Sequence, residues 1–258
     1  MKERLDKVLF SKGLVKSREM ARALIMEGKV YVDGNKITKA GTPVNENSDI
    51  SLQATDLPYV SRGGLKLEAA IKYFNIDVKD KIIMDVGSST GGFTDCLLQK
   101  GAKKAYCIDV GYGQLAWSLR KDPRVILLER TNIRYLREIL QEQGARGKEQ
   151  EYGDLLNSKI DIATIDVSFI SLTKVIPEVI KFLNDEGEVL ALVKPQFEVG
   201  KGEVGKGGIV REEEKRVKAV KYVEEDLAKC GLKSHGVFQS PVIGQKGNVE
   251  YFLYMKKY

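Results

Sequence analysis

Four charged side chains of this 258-residue chain could together remove a proton from a hydroxyl group and hold the resulting nucleophile: Lys66, Asp166, Lys194 and Glu250. Asp166 ends one predicted strand and Lys194 ends the next, and such strand ends face the ligand crevice of an open α/β sheet. Lys66 precedes the first predicted strand of this region, and Glu250 lies on the last. Any one of them alone is typical of a surface ion pair. The four therefore indicate a catalytic site only in combination with a ligand-binding loop.

A glycine-rich loop follows the first predicted strand of the same region. It reads Asp85-Val86-Gly87-Ser88-Ser89-Thr90-Gly91-Gly92-Phe93. Glycines let the backbone approach a ligand closely and turn into a helix whose first N–H groups are free. The second predicted strand runs into Asp109, 24 positions after Asp85, where a carboxylate can bind ribose hydroxyls. The spacing differs from the dinucleotide fingerprint, so these residues alone leave a nicotinamide enzyme, a methyltransferase and a plain tight turn open.

The elements that must position these groups alternate between strands and helices. Predicted strands cover Ile82–Val86, Ala105–Val110, Val125–Leu128, Ile160–Val167 and Val189–Val193, separated by helix-length segments such as Gly92–Lys100, Gln114–Arg120 and Leu172–Leu183. This alternation predicts an α/β fold with a mostly parallel sheet and helices on both faces. Two later runs, Val237–Ser240 and Val249–Tyr254, predict an antiparallel hairpin at one edge of the sheet.

The N-terminal part has a different pattern. Apolar residues recur at helical spacing in two short segments, at Leu5, Val8 and Leu9 and then at Ala21, Leu24 and Ile25. Ser17 is placed to cap the second helix, and Asp33-Gly34-Asn35 joins two short strands as a tight turn. We therefore predict a small α+β domain over residues 1–55, a linker over 56–62 that contains Pro58, and the α/β domain over 63–258.

The positive charge of the chain is concentrated in this small domain. The formal net charge is +6, and residues 1–40 contain ten Lys or Arg against five Asp or Glu. Three segments resemble the S4 RNA-binding domain: Arg4-Leu5-Asp6, Ser17-Arg18-x-x-Ala21 and Gly28-Lys29-Val30-x-Val32-Asp33-Gly34. The resemblance implies that the helix pair binds structured RNA, whereas a solvated charged face is the alternative.

The candidate RNA-binding residues follow from this resemblance and from one further loop. A segment with five glycines and two lysines, residues 198–211, follows Lys194 and is either a plain connector or a loop that closes over RNA and excludes water. We favour the closing loop. The candidates are Arg4, Lys7, Lys12, Lys16, Arg18, Arg22 and Lys29 in the small domain, with Arg62, Lys201 and Lys206 in the second region.

The glycine-rich loop itself resembles motif I of the FtsJ-type, Rossmann-like RNA methyltransferases, in the pattern Asp-x-Gly-x-x-x-Gly-Gly-Phe. The resemblance implies S-adenosylmethionine as cofactor, with the loop on its methionine part, Asp109 on its ribose and Asn132 near its adenine. The candidate cofactor-binding residues are Asp85, Gly87, Ser88, Ser89, Gly91, Gly92, Phe93, Asp109, Asn132 and Asp166.

The four charged residues match the Lys-Asp-Lys-Glu tetrad of ribose 2′-O-methyltransferases, in local sequences shared with the TlyA family. The match implies that Lys194 is the general base and that Lys66, Asp166 and Glu250 orient it and the ribose. A free lysine has a pKa of about 10.4, so a lysine base near neutral pH needs a cation beside it. We expect the base to work mainly when the sulfonium donor is bound.

Resemblance to the TlyA family extends over nearly the whole chain and implies methylation of a cytidine 2′-hydroxyl in ribosomal RNA. The chain resembles the family's short form, which acts on large-subunit (23S) RNA, more than its long form, which also acts on small-subunit (16S) RNA. A non-catalytic RNA-binding or ribosome assembly factor is one alternative. A membrane-active haemolysin is another, which we disfavour because no amphipathic or spanning segment stands out.

Composition limits the remaining possibilities. The longest apolar runs are five residues, against the ~20 of a membrane-spanning helix, and the first residues lack the apolar stretch of a secretory signal. Three scattered cysteines and one histidine predict neither a disulfide framework nor a metal site. We therefore expect a cytoplasmic protein that uses neither a metal nor a membrane.

Overall fold

A computed structural model of the protein describes residues 2–15, 17–26, 28–52, 57–144, 149–200 and 202–258. The chain divides into two compact units. The first consists of Met1–Leu57 with Gly113–Ser118, and the second of Pro58–Tyr112 with Leu119–Tyr258. Each unit has its own cluster of buried apolar side chains.

The first unit contains the predicted helix pair followed by a hairpin. Its elements are β1 (Lys2–Arg4), α1 (Leu5–Ser11), α2 (Arg18–Met26), β2 (Val30–Val32), β3 (Asn35–Ile37), β4 (Pro43–Asn45) and β5 (Ile50–Leu52). β2 pairs antiparallel with β3 and β5, and β1 pairs with β4. Five of the six apolar residues predicted to face inward from the two helices are buried, and Leu24 is partly buried against them.

Two local predictions in this unit are confirmed. Asp33 and Gly34 have φ of 50° and 77°, which is the left-handed backbone that a two-residue hairpin turn requires. Ser17 Oγ accepts a hydrogen bond of 3.1 Å from the backbone N–H of Met20, as a helix cap does.

The second unit is built on one twisted sheet. From Arg62 onward the elements are α3 (Arg62–Phe74), β6 (Ile82–Val86), α4 (Gly92–Gln99), β7 (Lys104–Ile108), α5 (Trp117–Arg120), β8 (Val125–Leu128), α6 (Leu136–Gly144), α7 (Glu149–Leu156), β9 (Ile160–Ile165), α8 (Ile176–Ile180), β10 (Leu183–Val193), α9 (Pro195–Glu198), α10 (Glu213–Ala228), β11 (Leu232–Gln239) and β12 (Tyr251–Lys257). The strand order is β11-β12-β10-β9-β6-β7-β8. β12 runs antiparallel to both β10 and β11, and all other pairs are parallel. The predicted α/β fold with an antiparallel edge hairpin is confirmed.

The strand order changes direction at β6. The chain proceeds from β6 to β7 and β8 on one side, and to β9 and β10 on the other. A crevice forms where the connections leave in opposite directions, and ligands of open α/β sheets bind there. The crevice between β6 and β9 is therefore where the site is expected.

Some predicted boundaries are wrong. The predicted helix Leu172–Leu183 is a short 3-10 turn followed by α8, and its last residue opens β10. α3 begins at Arg62, the last residue of the predicted linker, and the linker bounds themselves stay a prediction. The 16-residue helix α10 was not predicted, because its buried residues occupy one narrow face of a segment that is otherwise strongly charged.

Candidate active site

A cavity of about 260 Å³ opens at the carboxyl ends of β6 and β9. The loop after β6, the start of α3, the residue after β9 and the segment before β12 contribute to its walls. The lining residues are Ser61, Arg62, Gly63, Lys66, Asp85, Gly87, Ser88, Ser89, Thr90, Gly92, Phe93, Asp166, Ile243 and Gly244. The sheet thus brings distant parts of the chain to one crevice.

Two lysine–carboxylate pairs lie at this cavity. Lys66 Nζ donates a hydrogen bond of 2.6 Å to Glu250 Oε2, and these side chains are 12% and 3% exposed. Lys194 Nζ lies 2.5 Å from Asp166 Oδ1 as an ion pair, while its aligned hydrogen bond, of 3.0 Å, goes to Ser168 Oγ. The structure therefore brings together all four residues of the predicted catalytic set, as two pairs.

The pairing determines what these lysines can do. A lysine amine donates hydrogen bonds to an oxyanion beside it, and a carboxylate partner fixes the position of that amine. It accepts a proton from a hydroxyl only after it has lost its own. Because both pairs are partly buried, the Coulomb interactions of their charges are stronger than they would be on an open surface. The arrangement can hold a hydroxyl or alkoxide oxygen beside a bound donor.

Asp85 is fully buried beneath the glycine-rich loop. Its carboxylate accepts hydrogen bonds from the N–H of Thr94 at 3.0 Å, the hydroxyl of Thr94 at 2.6 Å and the hydroxyl of Thr164 at 3.2 Å. Burial raises the pKa of Asp85 to about 7; the Thr94 hydrogen bond lowers it, and the charge of Asp166 raises it further. Asp85 therefore joins β6, α4 and β9 beneath the site.

The raised pKa of Asp85 predicts a pH dependence of stability. The folded chain binds this proton more tightly than the unfolded chain, whose value is about 4, so the contribution of Asp85 is fully present below about pH 4 and is lost as pH rises to 7. Relative to Asp85→Asn, the free energy of unfolding of the native chain should fall by on the order of 4 kcal/mol over that window. Urea unfolding at a series of pH values measures this difference. Asp185→Asn, on the surface, is the matched control. If the difference in free energy of unfolding between the native chain and Asp85→Asn did not change with pH, the prediction would be wrong.

The loop after β6 has the backbone geometry of a tight cradle. Gly87 has a φ of 84°, and a Cβ there would lie 2.5 Å from the carbonyl oxygen of Asp166. Ser89 has a φ of 49°, and Gly91 has a φ of 93° at the N-terminal cap of α4. Ser88 Oγ is buried and has no hydrogen-bond partner among the described residues, although Ser88 lines the cavity. An unsatisfied buried hydroxyl at a cavity wall is suited to a polar ligand.

Gly92 and Phe93, both predicted to bind the cofactor, also take part in packing. A Cβ on Gly92 would overlap Ser61 Oγ and lie 2.9 Å from the backbone N of Gly64, so this glycine allows α3 and α4 to meet closely. Phe93 is 4% exposed, and its ring centroid lies 5.9 Å from that of Phe252.

Asp109 and Asn132 both accept hydrogen bonds from backbone N–H groups. The two carboxylate oxygens of Asp109 accept hydrogen bonds from the N–H groups of Ser89, at 2.7 Å, and Gly111, at 2.6 Å. Asn132 Oδ1 accepts a hydrogen bond of 3.1 Å from the N–H of Arg134 and caps a 3-10 turn. Asp109 thus shapes the loop itself, and neither residue is among those that line the cavity described above.

The structure adds site residues that sequence reasoning missed. Ser168 contacts Lys194, and Phe169 beside it is 89% exposed with a φ of 65°, which is unusual for a bulky side chain. Glu198 accepts hydrogen bonds from Ser171 Oγ at 2.6 Å and from the N–H of Leu172 at 2.9 Å, which holds this loop against α9. Burial raises the pKa of Glu198. Proximity to Asp166 in the sequence could have indicated Ser168 and Phe169, but backbone strain leaves no sequence signal.

The predicted RNA-binding residues fall into several groups. Arg4, Arg18 and Arg22 all contact the carboxylate of Asp6, and Lys7 pairs with Glu3. Arg62 donates to the carbonyl of Ile243 at the cavity rim. Lys12 lies 3.4 Å from the carbonyl of Ser48, Lys29 is partly exposed and Lys206 is exposed. Lys16 and Lys201 lie outside the described residues.

None of the helices in the described ranges is both long and apolar enough to cross a membrane. No group of three or more His, Cys, Asp or Glu side chains in those ranges could hold a metal ion.

Family models match the two regions separately. Residues 59–257 match the FtsJ-like methyltransferase model, and residues 3–50 match the S4 domain model. The first match contains the whole cavity and both ion pairs, and the second contains the helix pair with the arginines around Asp6.

Individual relatives agree over nearly the full length. A protein of Mycobacterium tuberculosis named 16S/23S rRNA (cytidine-2′-O)-methyltransferase TlyA is 42% identical over 98% of this chain and 89% of its own. Hemolysin A of Brachyspira hyodysenteriae is 40% identical over 96% of this chain and 97% of its own. A solved structure from Streptococcus thermophilus is 41% identical, covers 99% of this chain and 88% of its own, and superposes with a TM-score of 0.72. With its glycine-rich loop, its paired lysines and carboxylates and its S4 domain, this chain belongs to the FtsJ-like methyltransferase family, among the TlyA proteins.

Proposed function

We propose that this protein transfers a methyl group from S-adenosylmethionine to the 2′-hydroxyl of a cytidine in ribosomal RNA. The observation that carries the proposal is the pair of lysine–carboxylate contacts, Lys66 with Glu250 and Lys194 with Asp166, beside one cavity. Two cations and two anions suit a hydroxyl nucleophile, which must lose a proton and be held while it reacts.

The residues at the cavity fit the donor. The buried Ser88 hydroxyl lacks a partner among the described residues, and the loop from Gly87 to Gly91 bends sharply through left-handed backbone. The cavity is lined by Arg62 and Lys66 as well as by Asp85 and Asp166, which suits a donor that itself carries charges of both signs. S-adenosylmethionine, when bound, supplies a methyl group activated by a sulfonium charge. Ser88, Ser89 and the loop backbone would hold it, with Asp109 shaping the loop behind them.

The tetrad residues have distinct roles in the proposed reaction. Lys194, once neutral, takes the proton of the ribose hydroxyl, and Asp166 and Ser168 orient its amine. Lys66, held 2.6 Å from Glu250, donates a hydrogen bond to the oxygen as negative charge develops. The exposed ring of Phe169, next to Ser168, offers a face on which a displaced base can stack.

The small domain would supply RNA affinity. Its arginines and lysines suit phosphate contacts, which position RNA without reading its sequence. The Mycobacterium tuberculosis relative is named for both 16S and 23S rRNA. We propose 23S RNA as the main substrate, with 16S RNA as a second one, and the same assay compares the two.

The test is transfer of labelled methyl from S-adenosylmethionine to purified 16S and 23S RNA and to both ribosomal subunits. After digestion to nucleosides, the label should be in 2′-O-methylcytidine. Label in a methylated base would contradict the ribose assignment. Tight RNA binding without transfer to any of these substrates would instead indicate a non-catalytic assembly factor.

A further inference from the structure

A single buried carboxylate organises the basic surface of the first unit. The side chain of Asp6, on α1, is 0% exposed and is surrounded by the guanidiniums of Arg4, Arg18 and Arg22. These arginines come from the end of β1 and from two successive turns of α2. Three elements of the unit therefore converge on one acid.

The contacts are specific hydrogen bonds. Arg4 Nε donates to Asp6 Oδ1 at 3.0 Å, and a second Arg4 nitrogen donates to Oδ2 at 3.1 Å. Arg18 and Arg22 donate to the same Oδ2 at 3.2 and 3.1 Å. The Arg4 hydrogen bonds in particular hold the pKa of Asp6 well below its usual range, so the carboxylate stays charged although it is buried.

The contacts with Asp6 use only a few of the arginine donors. Each guanidinium carries five N–H groups, and these contacts use two from Arg4 and one each from Arg18 and Arg22. The three arginine side chains remain 38–49% exposed. Arg18 Nε is buried and has no partner among the described residues. Three positive charges surround one negative charge, so the cluster keeps a positive excess.

Asp6 also offsets the repulsion between two arginines of the cluster. Arg18 and Arg22 are four residues apart on α2, and like charges at that spacing repel each other. A shared acid between them offsets the repulsion and fixes both planar groups. A fixed guanidinium loses less freedom on binding, and planar guanidiniums match the geometry of phosphate oxygens.

We propose that Asp6 is a positioning residue for RNA binding, whose buried carboxylate holds Arg4, Arg18 and Arg22 as a preformed array for backbone phosphates. This inference rests on the proposed RNA substrate. It assigns to an acid a favourable effect on the binding of a polyanion, which is opposite to the effect of its charge alone.

The affinity of full-length protein for transcribed 23S RNA tests this directly, because the positioning role of Asp6 and its negative charge predict opposite effects of its removal. Asp6→Asn should weaken binding about tenfold and reduce the dependence of affinity on salt, because fewer phosphates are neutralised. Glu46→Gln removes the same charge from an exposed site of the unit and should leave affinity equal or slightly higher. An Asp6→Asn protein that binds as tightly as Glu46→Gln would overturn the proposal.

A second variant covers the case in which Asp6→Asn fails to fold. Arg22→Lys keeps the charge at a half-exposed site but removes the planar fork, and it should weaken binding about fivefold. Lys39→Arg, at an exposed lysine of the same unit that is not among the candidate RNA-binding residues, is the control for a lysine–arginine exchange outside the array and should have little effect. Unchanged affinity of Arg22→Lys would contradict the array. If the wild-type chain bound no RNA, the proposed function itself would be refuted. If the wild type bound RNA and the variants bound it equally well, only the role of Asp6 would be refuted.

Discussion

Replacement of Lys194 by methionine is expected to lower kcat/KM for methyl transfer about 10³-fold while donor binding persists. Methionine keeps much of the length of lysine and fills the same space, but it cannot take a proton or pair with Asp166. Lys194 is 9% exposed, so a side chain of similar size limits the loss of stability. Initial rates at saturating 23S RNA and varied S-adenosylmethionine measure kcat/KM for the donor, and titration calorimetry with S-adenosylmethionine measures donor binding.

The matched control is Lys181→Met. Lys181 is an exposed lysine that pairs with Glu178 at 2.6 Å, so its loss removes an ordinary surface ion pair. It should leave kcat/KM within about twofold of the native value. If Lys194→Met retained near-native transfer, Lys194 would not be the general base, and Lys66 would be the next residue to test.

Replacement of Gly87 by alanine should lower activity about 10²-fold and destabilise the protein by about 2 kcal/mol. The added Cβ would lie 2.5 Å from the carbonyl oxygen of Asp166, and the φ of 84° is strained for alanine. Because Asp166 pairs with Lys194, a backbone shift there moves the proposed base away from its working position. Urea unfolding and steady-state kinetics measure the two effects.

Gly153→Ala provides the comparison. Gly153 lies in α7, and a Cβ there meets nothing within 4 Å in the described structure. Alanine favours helix over glycine by roughly 1 kcal/mol, so this variant should be as stable as the native protein or more stable, with normal activity. Equal behaviour of the two variants would mean that Gly87 is not required for the close approach to Asp166.

Local pattern was sufficient to predict much of the fold. β6 and β8 have the predicted bounds, because short apolar runs bounded by turn residues are typical of buried parallel strands. The hairpin turn at Asp33 and Gly34 and the Ser17 cap were also predicted, since both depend on residues close in sequence. α10 was missed because a charged helix with one narrow buried face has a weak periodic signal.

In the candidate site, too, the sequence predicted some features and the structure was needed for others. The order of motifs predicted that Lys66, Asp166 and the glycine-rich loop approach one cavity, and the family match agrees with a methyltransferase fold. The assignment of Gly92 and Asp109 to the donor stays a prediction; the structure adds that a Cβ on Gly92 would meet Ser61 and Gly64, and that Asp109 accepts hydrogen bonds from loop amides. A glycine or an acid in a motif can serve a ligand or the chain itself, and only the neighbours in space distinguish these roles.

By itself the sequence determined the two-unit fold class and the family, and it named the four charged residues of the candidate set, because apolar periodicity and motif spacing are properties of the chain read in order. The tertiary structure alone decided the pairing: Lys66 with Glu250, 184 positions away, and Asp6 with three arginines. It also decided that Gly87 must stay small because the backbone of Asp166 lies against it. Hydrogen bonds and close packing act between neighbours in space, and residues far apart in the sequence become neighbours only when the sheet and helices assemble.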